Sequence, residues 1–230
     1  MTSYPWTAQG CLSTSTSSSD CSCSGISISA RLVLTAGHCF TEGVETWDSR
    51  QFYWLSGADD INWQMNGNDD TPNGVRSASN WVVPPEWFNN ENAAHDWGLF
   101  VLTPEMNNCD LGWFGYHVEE NLLNVDVNLF GYPYDSCENS PLSSGKCAGS
   151  IYGTSAGVDW EDSTTFGYTI DTQGGMSGSG AYIYSDGERR VVGVHVRGGD
   201  IYGAATRINS DVFSMIQSIR QQYPDSSAGC

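Results

Sequence analysis

The sequence predicts an all-β protein built as two β halves and closed by one C-terminal α-helix. Three observations carry this. Of 230 residues, 26 are glycine and 12% are aromatic, which together with frequent Thr, Val, Ile and Tyr favours short strands joined by turns. Apolar residues recur in short alternating or clustered runs bounded by polar turn residues. Only the last stretch has helical spacing: Asn209 or Ser210 caps a run to about Gln222 in which Val212, Phe213, Ile216 and Ile219 share one face. At 39% hydrophobic content the chain can bury a sizeable core, and disorder is excluded.

Taken in order, residues 12 to 20 form a low-complexity polar loop between cysteines. Ile26 and Ile28, then Leu32 to Leu34, read as a buried hairpin, with His38 just past its end. Residues 41 to 80 are polar and read as loops around short strands such as Gln51 to Leu55. Asp96 leads into an apolar strand, Leu99 to Leu102, and the neighbouring His95 is expected to face solvent. A polar joint at Asn107 to Gly112 divides the halves, which sets units of 1-111, 112-207 and 208-230. In the second half Val125 to Tyr132, Lys146 to Tyr152 and Phe166 to Ile170 read as strands. Ala181 to Tyr184 and Val191 to Val196 form a hairpin across Asp186-Gly187, and Ala204 to Ile208 is the last strand.

The charge narrows the partners. Nine Lys plus Arg against 27 Asp plus Glu give a formal charge of -18, which repels phosphate backbones and anionic head groups, so neither nucleic acid nor a membrane surface is expected. No run approaches the length of an apolar span. Met1 to Trp6 has no basic start and no apolar core, so the chain is expected to be a mature or trimmed form. Eight widely scattered cysteines fit disulfides and export better than a metal site. Chain distance suggests the pairs Cys23 with Cys39 and Cys137 with Cys147. The pairing of Cys11, Cys21, Cys109 and Cys230 stays open. No cofactor is implied; Asp59-Asp60 and Asn68 to Asp70 offer oxygen ligands for calcium, although a solvated acidic loop explains them better.

The chemistry centres on Asp171 to Gly180, where four glycines flank Ser177. Such a loop turns sharply and aims N–H groups at one point. Acyl transfer needs both a base for the serine hydroxyl and donors for the oxyanion, each donor worth roughly 3–4 kcal/mol; the Gly175 and Ser177 N–H groups are the candidates. His38, Asp96 and Ser177 follow one another in the chain order of one of three convergent serine-hydrolase solutions. The α/β-hydrolase order fails, because Gly-x-Ser-x-Gly breaks at Ser179 and no βαβ pattern surrounds it.

Thr35-Ala-Gly-His-Cys, His95-Asp-Trp-Gly-Leu and Gly175-Met-Ser-Gly-Ser together resemble the three signatures of chymotrypsin-fold serine peptidases. Gly131-Tyr-Pro, Tyr168-Thr-Ile-Asp-Thr and Val192-Gly-Val-His are similar to the glutamyl endopeptidase branch of that family. The resemblance runs from about Cys23 to the terminal helix, outside the loops of residues 41 to 80. It implies two antiparallel six-stranded β-barrels with the site between them, in a secreted, monomeric endopeptidase acting on peptides or proteins. It also implies roles: Ser177 as nucleophile, His38 as general base, Asp96 orienting His38, and Gly175 and Ser177 as the oxyanion hole.

For specificity, the glutamyl branch implies that Thr172 and His195 read a substrate glutamate. Arg197 would add positive potential if strand alternation places it on the face of His195 without an intervening bulge. Asp171 supports a competing reading, since it lies six residues before Ser177, where trypsin-like enzymes place the carboxylate that attracts Lys or Arg. A catalytically silent relative that binds a partner through the same cleft is the alternative from another class. One departure is plain: Met176 stands where animal relatives carry the aspartate that pairs with a newly cut N-terminus, so that activation route is closed.

Overall fold

The computed structural model describes residues 3–13, 21–42, 45–46, 52–58, 73–103, 111–133 and 151–225. The first half holds β1 (Gln9–Ser13), β2 (Cys23–Ser27), β3 (Leu32–Thr35), the short pair β4 (Thr41–Glu42) and β5 (Glu45–Thr46), and β6 (Tyr53–Ser56). β7 (Val75–Val82), the helix α1 (Pro85–Asn90) and β8 (Gly98–Thr103) complete it. The second half holds β9 (Gly115–Tyr116), β10 (Asp126–Gly131), β11 (Tyr152–Glu161), β12 (Thr165–Tyr168), β13 (Gly180–Ser185), β14 (Glu188–Arg197) and β15 (Gly203–Arg207). The helix α2 (Ser210–Gln222) follows. The first barrel closes in the order β1-β2-β3-β8-β7-β6, and the second in the order β13-β10-β11-β12-β15-β14 through the β13–β14 pairing. β9 adds to β14 in parallel.

Period-2 alternation explains where each apolar run goes. Val33, Phe100 and Leu102 fill the first barrel with Phe40, Phe52 and Trp54. The alternate residues Leu32, Leu34, Leu99 and Val101 face outward, yet they are also buried, against Tyr182, Val191 and Val194 of the second half and Val212, Ile216 and Ile219 of α2. A strand buried on both faces loses its polar alternation, which is why β3 and β8 read as clusters. Val127, Leu129, Phe166, Tyr168, Ile183 and Val192 fill the second barrel.

Most expected elements are present. The Asp186-Gly187 turn has φ 55° and 80° at its two central residues, the mirror-image turn whose twist suits a hairpin. α2 begins as expected, with Asn209 Oδ1 accepting from the Val212 N–H at 3.0 Å. Two elements lie outside the strands and helix that the sequence predicts. β7 falls largely in a polar stretch but pairs with β6 over Val75 to Ser77 and with β8 over Ser77 to Val82, and its backbone ladder supplies what its side chains do not. α1 starts on Pro85, which is suited to a first helical position, and is anchored by Trp87. The chain's start also crosses the expected division: Trp6 packs on Phe130 of β10, with ring centroids 5.1 Å apart.

Cys23 pairs with Cys39 as expected, and Cys11 pairs with Cys21, closing the polar run between them. Cys109, Cys137, Cys147 and Cys230 lie outside the described residues, as do Asp59, Asp60 and Asn68 to Asp70. Replacing Cys23 and Cys39 by Ala opens a loop with a sequence separation of 16. It is expected to lower the unfolding free energy in urea by about 3 kcal/mol.

Candidate active site

The site begins at the pairing of β3 with β8, where Thr35 lies opposite Gly98. Antiparallel neighbours bring the segment leaving β3 and the segment entering β8 to the same end of the barrel. His38 lies three residues past Thr35, in the 3-10 turn Gly37–Cys39, and Asp96 lies two residues before Gly98, after the turn Ala93–His95. The Asn92 side chain caps that second turn by accepting from the Ala94 N–H at 3.1 Å. The Cys23–Cys39 bond ties the His38 turn to β2.

Asp96 is 5% exposed and is the only carboxylate among the buried residues described. Its Oδ1 accepts from the His38 backbone N–H at 2.8 Å, and its Oδ2 lies 2.8 Å from His38 Nδ1. The acceptor-only carboxylate selects the tautomer with the proton on Nδ1, which leaves Nε2 free to accept a proton. Trp87 supports the ring from α1, 6.3 Å away between centroids in edge-on geometry. From the second barrel, Thr206 Oγ1 donates to the Asp96 carbonyl at 3.2 Å. His95, expected in solvent, is half-buried, and its Nδ1 is shielded without a hydrogen-bond partner.

Ser177 stands on the loop between β12 and β13. That loop is fastened to the first barrel by the Ser24 N–H, which donates to the Ser177 carbonyl at 2.8 Å, and to β14 by the Gly178 N–H, which donates to the His195 carbonyl at 2.7 Å. Cys39 Sγ lies 3.8 Å from the Ser177 carbonyl, which sets the serine beside the His38 turn. Gly178 has φ 88°, and a Cβ there would meet Thr35 Oγ1 at 2.1 Å and the Ser24 carbonyl at 2.2 Å, so both the conformation and the close approach require glycine. Neither the Gly175 nor the Ser177 N–H donates to any group among the described residues. Ser177 Oγ makes no direct hydrogen bond to His38, a contact that in free hydrolases tightens on substrate binding.

The specificity candidates separate. His195 is 2% exposed, and its Nδ1 lies 2.7 Å from the Tyr168 hydroxyl. Burial, helped by the neighbouring charge of His38 and offset in part by a hydrogen bond to the Ala204 main chain, pushes its pKa down to about 3. The ring is therefore neutral at pH 7. Burial also raises Tyr168, which stays a phenol. Thr172 Oγ1 is buried without a hydrogen-bond partner, facing Gly198 just beyond β14. Asp171 is exposed. A bulge in β14 sets His195 opposite Ala205 and Arg197 opposite Ala204, so the alternation that was to bring Arg197 beside His195 is broken and Arg197 faces solvent.

Cys23, His38 and Cys39 form the one cluster of metal-capable atoms among the described residues, but both sulfurs are committed to the disulfide. Sequence reasoning missed Ser24, Trp87 and Thr206 as neighbours of the site. Nothing in their local sequence marks them, because each acts across a long chain separation.

Two closed six-stranded barrels, with an aspartate-held histidine and a glycine-framed serine where they meet, define a serine peptidase of the chymotrypsin fold. The model of the trypsin-like peptidase domain matches residues 23–194, and the chain belongs to that family. It is 27% identical over 221 residues to a Bacillus subtilis protein named extracellular metalloprotease, covering 94% of this chain and 64% of that protein. It is 30% identical over 221 residues to the glutamyl endopeptidase of Bacillus licheniformis, covering 92% of this chain and 62% of that protein. The chain thus spans less than two thirds of the length of these relatives. A solved structure of a Glu endopeptidase in complex with MPD shares the fold, with a TM-score of 0.78 at 23% identity over 96% of this chain and 93% of that one.

The buried neutral imidazole fixes the sign of a pH effect. The unfolded chain binds a proton at His195 below its ordinary 6.5, whereas the folded chain does so only near 3, so stability is expected to fall as pH drops from 6.5 toward 3. Thermal melts of a Ser177→Ala protein, which cannot digest itself, should show this loss. The same protein with His195→Gln should lose less over that window.

Proposed function

We propose that this protein is a secreted serine endopeptidase that cleaves peptides and proteins after glutamate, and more slowly after aspartate, through an acyl-enzyme. Ser177 Oγ attacks the scissile carbonyl and gives its proton to His38 Nε2, while Asp96 holds Nδ1–H and stabilises the imidazolium. The Gly175 and Ser177 N–H groups take up the oxyanion. His38 then protonates the leaving amine, and water repeats the sequence to release the acid. The observation that carries the reading is the doubly bonded His38–Asp96 pair beside two unengaged N–H groups of the serine loop.

Support for glutamate comes from Thr172. A buried hydroxyl without a partner is costly unless a ligand supplies one, and a substrate carboxylate is such an acceptor. His195 is the second donor once the substrate carboxylate displaces its main-chain bond to Ala204, and the arriving anion raises its proton affinity and strengthens the contact. Asp171 is solvated, which weakens its claim as a buried counter-charge for Lys or Arg. Disulfides at Cys11–Cys21 and Cys23–Cys39 fit an oxidising compartment.

Initial rates on matched fluorogenic peptides with Glu, Asp, Arg or Phe at P1 test the reading. Cleavage after Glu should dominate and vanish in Ser177→Ala. Thr172→Val should lower kcat/KM on the Glu peptide by roughly tenfold to a hundredfold, the range for a lost hydrogen bond to a charged group. Dominant cleavage after Arg would transfer specificity to Asp171, and no cleavage by the wild type would favour a silent binding protein. Because a charge of -18 repels acidic substrates at long range, moderate salt should raise the Glu rate; a steep fall would contradict a local pocket.

A further inference from the structure

We infer that Ser24 is a positioning residue of the oxyanion hole, locking it from the opposite barrel; this rests on the reading of Ser177 as nucleophile. Ser24 is 1% exposed on β2. Its Oγ accepts from the Tyr132 N–H at 2.7 Å, just past the end of β10, and lies 2.8 Å from the Gly175 carbonyl. Because the carbonyl can only accept and Tyr132 occupies a lone pair of the hydroxyl, the hydroxyl proton has one destination, Gly175. The backbone of Ser24 is held as well: its N–H donates to the Ser177 carbonyl, and its own carbonyl accepts from Thr35 Oγ1 at 2.8 Å.

The peptide that Ser24 grips lies between the two peptides that carry the oxyanion donors. The Gly175 N–H belongs to the peptide before it, and the Ser177 N–H to the peptide after it. An uncompensated turn about either bond flanking the Gly175–Met176 peptide therefore rotates one donor relative to the other, and fixing that peptide fixes their mutual aim. Gly175, at φ 91°, has no side chain to resist such a rotation. In this structure the carbonyl of that peptide is held by Ser24, and its N–H donates to the Gln173 carbonyl at 3.1 Å. The Met176 carbonyl in turn accepts from the Ser179 N–H at 3.0 Å. Met176 itself is fully buried and carries no charge to pair. Ser24 supplies the anchor from outside the loop.

A lock on the donors acts on the transition state and not on ground-state binding. Ser24→Ala should therefore lower kcat by about tenfold or more, a part of the hundredfold to thousandfold that a whole donor supplies, with KM within about twofold of wild type. Affinity for a peptidyl aldehyde, which forms the tetrahedral adduct, should fall in step with kcat, while affinity for the cleaved product peptide should hold. Ser24→Gly carries the same expectation and serves if Ser24→Ala does not fold. Thr7→Val removes a buried hydrogen bond to the Leu111 carbonyl away from the loop and controls for lost stability. Unchanged kcat and aldehyde affinity in the Ser24 variants, or losses equal to those of Thr7→Val, overturn the inference and leave the serine peptidase reading intact. A wild type that is not labelled at Ser177 by a serine-directed acylating reagent overturns both.

Discussion

The architecture depends on the stitching of one loop between two barrels. The Ser177 carbonyl accepts from the Ser24 N–H of the first barrel, the Gly178 N–H donates to the His195 carbonyl of the second, and the His195 N–H donates back to the Ser179 carbonyl. Three consecutive residues thus spend their main-chain groups on tying the serine loop to its own barrel and to the opposite one. Their contact distance is set by a glycine: at Gly178 there is no room for a side chain between Ser24 and Thr35. The barrels can close on each other only where the serine loop is thinnest, and that closure brings Ser177 to the His38 turn.

The site holds few charges, and each has a partner. The chain carries a formal charge of -18, yet one carboxylate, Asp96, is buried among the described residues, and it is matched by two donors from His38. His195 escapes the cost of a buried charge by staying neutral against the Tyr168 hydroxyl. Elsewhere Arg207 is buried at 8% exposure, is paired with Glu161 at 3.1 Å and donates to the carbonyls of Glu119 and Asp162. Among the described residues, interior charge is used where a partner exists, and every carboxylate but Asp96 lies outside the buried class.

Much of this was legible in the chain. Hydrophobic alternation located β2 and β10, and clustered apolar runs located β3, β8 and the β13–β14 hairpin, because a strand buried on one face keeps period two and one buried on both faces becomes continuously apolar. Asp186-Gly187 marked its turn because few residues accept positive φ in succession. β7 and α1 were not legible. β7 is held by its backbone ladder, and α1 is a short helix pinned by Trp87; neither source of stability leaves a pattern in the local sequence. The placement of Arg197 failed for a related reason, since a bulge depends on strand pairing and not on side-chain order.

By itself, the sequence determined the chemistry on offer: a serine among glycines, a histidine and an acid at strand ends, and the half in which each would sit. These are local properties, set by backbone permissiveness and by where apolar runs stop. Only the tertiary structure decided which groups meet. The bond between His38 and Asp96 spans 58 residues, and the bond from Ser24 to Gly175 spans 151. Contacts at that separation are dictated by barrel closure, and closure is a property of all the strands at once.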